Sequence, residues 1–272
     1  MTRRVVVGAL LVAALAGAYL LDTRVLEGAW VSRALVWILG LGLLHELLAL
    51  ARRRVEHGPG LYVMGAVALT VVVVPSLLER QAVPGAMLAV AALVAGGARL
   101  LGMAPLKTAP AAFPEALALA ASVGYVACTI SFLDRLVVES VASAYAVVAV
   151  SKANDICAYF TGTLVGRVRI VPSVSPKKTW EGTIAGVLGA AGVAALLTRP
   201  LTGHDMPRWN AAVIGAVLGG ASFLGDLLGS GLKRWAGVKD SASLLPEFGG
   251  ILDLLDGVLL AAPVAVICIH GS

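Results

Sequence analysis

Apolar stretches about as long as a bilayer is thick recur along nearly the whole of this sequence, with only short segments between them. A helix needs about 20 mostly apolar residues to cross the hydrocarbon core. In lipid every backbone N–H and C=O must find a partner within the protein, and helices answer that demand for runs of this length. The expected fold is therefore all-α, a polytopic integral membrane helical bundle of about nine transmembrane helices. The spans read near 5–21, 30–50, 60–78, 83–103, 113–133, 137–165, 182–198, 210–232 and 250–269. The sixth and eighth carry polar interruptions. The loops leave no room for a separate soluble domain, so 1–272 reads as one integral membrane domain, with N-terminal helices in 1–135 and polar, chemistry-bearing helices in 136–272.

Composition agrees. Hydrophobic residues make up 59% of the chain and charged ones 14%, against about 25% charged in soluble domains. The 31 glycines suit closely packed membrane helices. The first segment, Val5–Leu21 behind Arg3 and Arg4, has the outline of a signal peptide, but a first span in a multi-span protein looks the same. There is no internal repeat.

Charge sets the expected orientation. With the N-terminus in the cytoplasm, the loops divide Lys and Arg at about fourteen inside to six outside, the bias of the positive-inside rule. The chain is thus expected in the cytoplasmic (inner) membrane, its C-terminus outside. The net charge of +5 is explained by topology and calls for no nucleic-acid partner. Cys128, Cys157 and Cys268 are widely spaced in apolar surroundings and read as small buried hydrophobes.

Ionisable residues inside spans are costly and mark candidate sites. His45 and Glu46, near the end of the second span, read as an interfacial anchor pairing with Arg52–Arg54. The C-terminal half holds three polar blocks. In the first, Lys152 and Asp155 are three apart on one helical face, as in a structural ion pair. The second, Ser175-Pro176-Lys177-Lys178-Thr179-Trp180-Glu181-Gly182, sets two lysines beside a turn and a helix start. That pairing of point charge with directed N–H donors can hold phosphates, although Lys-Lys at a membrane edge also serves topology or anionic lipid. The third carries Asp226, Ser230, Lys233, Arg234, Lys239, Asp240, Asp253 and Asp256. Asp226 and Ser230 share one helical face, Asp253 and Asp256 another. Carboxylates converging from two helices form a hard-oxygen site for Mg²⁺, so Asp226, Asp253 and Asp256 are candidate metal ligands. The expectation is a metal-dependent, phosphate-handling site on the cytoplasmic side.

The second and third blocks resemble the phosphatidate cytidylyltransferase (CDP-diglyceride synthase) family. Ser175–Gly182 reads as its loop motif, and Ser230–Asp256 follows its order of Ser, Lys-Arg, Lys-Asp, Pro, Gly-Gly, Asp and Asp. Lys152–Gly166 is similar to its Asp-x-Gly-Ala-Tyr segment. The resemblance covers roughly 150–260 and departs at Glu247, Phe248 and Leu254, where the family has Gly, His and Arg, and at Cys157, where it has Gly. It implies transfer of CMP from CTP to phosphatidic acid, giving CDP-diacylglycerol and pyrophosphate, with Mg²⁺ and a second cation as cofactors, and membrane lipids as partners. Members tend to be homodimers.

The implied roles follow the motifs. Asp226, Asp253, Lys233 and Lys178 are the expected catalytic residues. Lys177 and Lys178 fall to the triphosphate tail, with Ser175 and Thr179 among the substrate-binding residues; Lys233, Arg234 and Lys239 fall to the lipid phosphate or pyrophosphate, and Ser230 to substrate binding or to completing the metal shell. Asp155 falls to a second cation or to orienting Lys152. Three alternatives stand beside this: a related CTP-dependent enzyme acting on another lipid, an inactive paralogue, and a secondary transporter. The absence of repeats and the loop position of Lys177 and Lys178 argue against the last.

Overall fold

The computed structural model describes residues 2–26, 28–53, 109–242 and 249–270. The expected spans near 60–78 and 83–103, and the departures Glu247 and Phe248, lie outside the described residues. The elements are α1 (Thr2–Leu20, continued by a π-helical turn, Leu21–Val25), α2 (Trp30–Arg52), α3 (Ala109–Glu139), α4 (Val141–Leu164), α5 (Trp180–Leu196), the short α6 (Thr198–Thr202), α7 (Arg208–Trp235) and α8 (Ile251–His270). Among the described residues there is no β-strand; an isolated bridge pairs Arg169 with Thr179.

Five helical stretches among the described residues are long and apolar enough to cross a membrane: Val6–Val25, Trp30–Arg52, Ala121–Glu139, Arg208–Trp235 and Ile251–Ile269. The protein is a helical membrane protein. α5 is apolar but only 17 residues long. α4, interrupted by Lys152 and Asp155, is not among the five.

One expected loop is corrected. Residues 134–136 read as the break between the fifth and sixth spans, yet α3 runs on to Glu139 and Ser140 alone joins it to α4. The charges there are satisfied without leaving the helix. Asp134 takes both Nε and Nη2 of Arg33, at 2.9 and 3.0 Å, and Arg135 pairs with Glu139 one turn on. Ser140 then starts α4 by accepting the N–H of Ser143, the usual N-cap geometry.

The helices alternate in direction. At one end Asp22 accepts the N–H groups of Val31 and Ser32 and so caps α2, Ser32 Oγ meets Tyr145 near the start of α4, and Ser143 Oγ donates to Pro200 of α6. At the other end Glu46 of α2 reaches the start of α8, Arg234 of α7 donates to Val174 in the loop before α5, and glycines at the end of α4 enclose Thr179. α4 lies along α5, α5 along α7 and α7 along α8, while α2 and α3 pack together and against α8. A continuous apolar core runs from Leu43 and Leu48 of α2 through Ile130 and Val147 to Leu218, Leu252 and Leu259.

Candidate active site

The end where α2, α4 and α7 finish and α5 and α8 begin collects the polar residues of all three sequence blocks. The loop before α5 is held as a short hairpin. Ile170 N–H donates to Lys178 O at 3.0 Å, and Trp180 N–H to Val168 O at 2.9 Å. Thr179 caps α5 by accepting the N–H of Gly182 at 3.2 Å. Its hydroxyl sits where Gly162, Gly166 and Gly182 have no side chains, so a Cβ on any of them would crowd it. Thr179, expected at the substrate, thus holds the loop on α4. Ser175 tightens the same loop, its N–H on Val171 O and its carbonyl accepting Lys178 N–H. Lys177 is exposed.

This scaffold turns Lys178 inward. Its Nζ lies 2.9 Å from Asp226 Oδ2, 3.4 Å from the carbonyl of Phe223, and 4.6 Å above the Phe223 ring. A cation held over an aromatic face and beside a carboxylate is favoured twice. Asp226 remains about a third exposed, at 35%. The loop motif and the α7 motif, far apart in sequence, therefore meet in one ion pair.

Farther along α7 the chain is turned by a Schellman cap. Val238 N–H donates to Lys233 O, Gly237 N–H to Arg234 O, and Gly237 has φ 75°. That left-handed position suits glycine. The turn leads the chain back toward α8, while Arg234 is anchored by the carbonyls of Val174 and Val238. Lys239 is exposed, and Ser230 is half-buried one turn from Asp226.

Lys233 is buried and bonded to Asp253 Oδ1. The other oxygen of Asp253 accepts three donors at 2.9 Å each: Ser241 N–H, Ser241 Oγ–H and Gly250 N–H. Ser241 Oγ also lies 2.8 Å from Glu46 Oε2. Glu46 is 1% exposed and accepts Ile251 N–H at 2.6 Å and Leu252 N–H at 2.9 Å. Glu46 was expected to pair with Arg52–Arg54; the structure turns its carboxylate to the N-terminus of α8, where free N–H groups and the helix dipole favour an anion. No spacing rule links positions 46 and 251. The only sequence signal was an acidic residue within an apolar span.

Asp256 lies one turn past Asp253, buried against α7. A Cβ on Gly225 would collide with the Asp256 carbonyl and one on Gly229 would press on the Asp256 side chain, so these glycines let α7 and α8 pack closely on either side of Asp226. Asp226, Lys233 and Lys152 are within electrostatic reach of the Asp256 carboxylate. Lys152 itself pairs with Asp155 at 2.9 Å, as the spacing predicted. Among the described residues, Ser151 Oγ, Asn154 Oδ1 and Ser222 Oγ are buried without a hydrogen-bond partner. Ser222 is one turn before Asp226.

The three aspartates differ as hosts for a divalent cation. Hydrogen bonds and ion pairs among the described residues use one oxygen of Asp226 and one of Asp256. Those of Asp253 use both. Among the described residues no three Asp, Glu, His or Cys side chains converge as a metal cage. Carboxylate oxygens are hard donors of the kind Mg²⁺ takes, and Asp226 and Asp256 each keep one outside these bonds. Of the sequence departures, Cys157 packs where Gly189 of α5 leaves space, and Leu254 is half-buried on α8.

A model of the cytidylyltransferase family matches residues 2–271. The phosphatidate cytidylyltransferase of Brucella suis biovar 1 (strain 1330) is 40% identical over 128 residues, 46% of this chain and 44% of that protein. That of Mycobacterium leprae (strain TN) is 43% identical over 113 residues, 42% of this chain and 36% of that protein. The uncharacterized protein YnbB of Escherichia coli (strain K12) is 41% identical over 116 residues, 43% of this chain and 38% of that protein. The matched part spans less than half the length of each of these relatives.

Proposed function

Because this chain belongs to the cytidylyltransferase family, we propose that it transfers CMP from CTP to phosphatidic acid, releasing pyrophosphate and leaving CDP-diacylglycerol in the membrane. The observation that carries this reading is the convergence of the two motif blocks, with Lys178 on Asp226 and Lys233 on Asp253, at one end of a membrane bundle. That end also holds Arg52, Arg53, Arg167, Arg169, Arg234 and Lys239. By the positive-inside rule it faces the cytoplasm, where CTP is available.

In the proposed reaction a phosphate oxygen of the lipid attacks the α-phosphorus of CTP in line, and the bond to the β-phosphate oxygen breaks. The lipid phosphomonoester is already anionic near neutral pH, so no strong base is needed. Catalysis is then positioning and charge neutralisation. Lys178 and Lys177 hold the triphosphate, and Thr179 and Ser175 hold the loop that presents them. Lys233, Arg234 and Lys239 hold the lipid phosphate or the departing pyrophosphate, with Ser230 beside them. Asp226 and Asp256 would hold Mg²⁺, while Asp253 keeps Lys233 in place and Asp155 orients Lys152. What Mg²⁺ supplies when bound is charge neutralisation at the α-phosphate and the leaving group.

Leu254 stands where the family carries Arg. It favours one second reading, the same transfer onto a different phospholipid acceptor. The test supplies purified protein in detergent with α-labelled CTP, Mg²⁺ and phosphatidic acid, and reads labelled lipid against pyrophosphate. Stoichiometric product that vanishes in Asp226→Asn supports the first reading. Mg²⁺·CTP binding without product favours the second. Absence of both overturns the two together.

A further inference from the structure

We propose that Glu46, from the N-terminal half of the chain and outside every motif, is a positioning residue of the active site, holding Asp253 and Lys233 through Ser241 and the first turn of α8. The inference rests on the reading of these residues as a CTP-handling site.

A buried carboxylate is tolerated only when donors surround it. Glu46 sits among Leu43, Leu44, Leu47 and Leu48, all buried, and takes donors from Ile251, Leu252 and Ser241. The position before α8 is Gly250, which has no side chain to cap the helix. The cap is therefore divided. Asp253 reaches back to Gly250 N–H from within the helix, as in the second half of a capping box. Glu46 supplies the missing acceptor from α2.

The two halves are coupled. The one hydroxyl proton of Ser241 faces two carboxylate oxygens, Glu46 Oε2 and Asp253 Oδ2. A Cβ on Gly250 would strike both Ser241 Oγ and the Glu46 carboxyl, so backbone, serine and glutamate form one packed unit. Asp253 in turn bonds Lys233, and Asp256 lies one turn farther along the same helix. Shifting the first turn of α8 moves a cation and a carboxylate together, and small misplacements of reacting groups cost large factors in rate.

The test compares wild type, Glu46→Gln, Ser241→Ala and the double variant in the labelled-CTP assay. Gln keeps the shape of Glu but turns an amide N–H₂ toward backbone or hydroxyl donors. The expected result is a fall in kcat of about tenfold or more in each single variant, with the double variant within about twofold of Glu46→Gln alone. Unfolding temperatures should stay within a few degrees of wild type. Wild-type kcat in Glu46→Gln, or fully multiplicative losses in the double variant, would overturn the inference. If wild type turns over no phosphatidate but binds Mg²⁺·CTP, the acceptor reading fails and the same cycle is read on the CTP dissociation constant. Non-additive weakening of about fivefold or more there supports Glu46, and additive or absent effects overturn it. A wild type that binds no CTP overturns both.

Discussion

Lys178 and Asp226 stand 2.9 Å apart, one on the loop before α5 and the other on the last turns of α7. The pair joins two motifs that are separate in sequence, and it leaves Asp226 open enough to meet a ligand.

Asp226→Asn should lower turnover by about 10²-fold or more, the scale seen when one preorganised charge-stabilising group is lost. Lys178 keeps the Phe223 carbonyl and ring, so folding should survive. Labelled lipid formation and detergent size-exclusion profiles check the two halves. Near-wild-type turnover would remove Asp226 from the machinery.

Lys178→Met should lower kcat/KM for CTP by about 10- to 150-fold, the roughly 1.5–3 kcal/mol of a hydrogen bond to a charged partner. Lys178→Arg should restore only part of it, because the planar guanidinium does not fit the space of an ammonium above the Phe223 ring. Steady-state kinetics against CTP distinguish the two variants.

Chelation should abolish activity, and Mg²⁺ should restore it. In Asp256→Asn the Mg²⁺ concentration for half-activity should rise by at least about tenfold, whereas in Ser230→Ala it should move less. A Mg²⁺ titration unchanged in Asp256→Asn would leave Asp256 a packing residue between α7 and α8.

Arg33→Ala strands the buried Asp134 carboxylate. It should cost roughly 3–5 kcal/mol of stability, the usual penalty for half a buried pair. The pair lies at the end of the bundle away from Lys178, so kcat of the folded fraction should stay near wild type. Thermal unfolding with parallel turnover measurements tests both. A selective loss of kcat at unchanged stability would contradict the separation of the two ends.

In a background with Cys128, Cys157 and Cys268 replaced by Ser, single cysteines at Lys177 and at His204 should label from opposite sides of the membrane. Lys177 should react from the cytoplasm. Labelling of both from one side would overturn the alternating arrangement of α5 and α7.

Much of the candidate site is legible in the sequence because its residues fall in contiguous motifs. Lys178, Asp226, Lys233 and Asp253 were all legible that way. Their partners were not. Three aspartates on two helices read as one metal cage, yet Asp253 is taken by Lys233, Ser241 and Gly250. Thr179 read as a substrate contact; in the structure its hydroxyl caps α5 and packs among three glycines, which ties the loop to α4. Asp134 and Arg135 read as a loop because charge breaks an apolar run; Arg33 and Glu139 absorb them within the helix.

That the chain forms membrane helices, and that its candidate site lies on the loop before α5 and on α7 and α8, is legible from the residues alone. Apolar run length, charge bias and motif order are local quantities, written residue by residue. Which charges meet is set by how the helices pack. Glu46 finds Ile251 across 205 positions, and no periodicity encodes that distance. It follows from α2 packing beside α8, where a buried carboxylate and an uncapped helix each need what the other supplies.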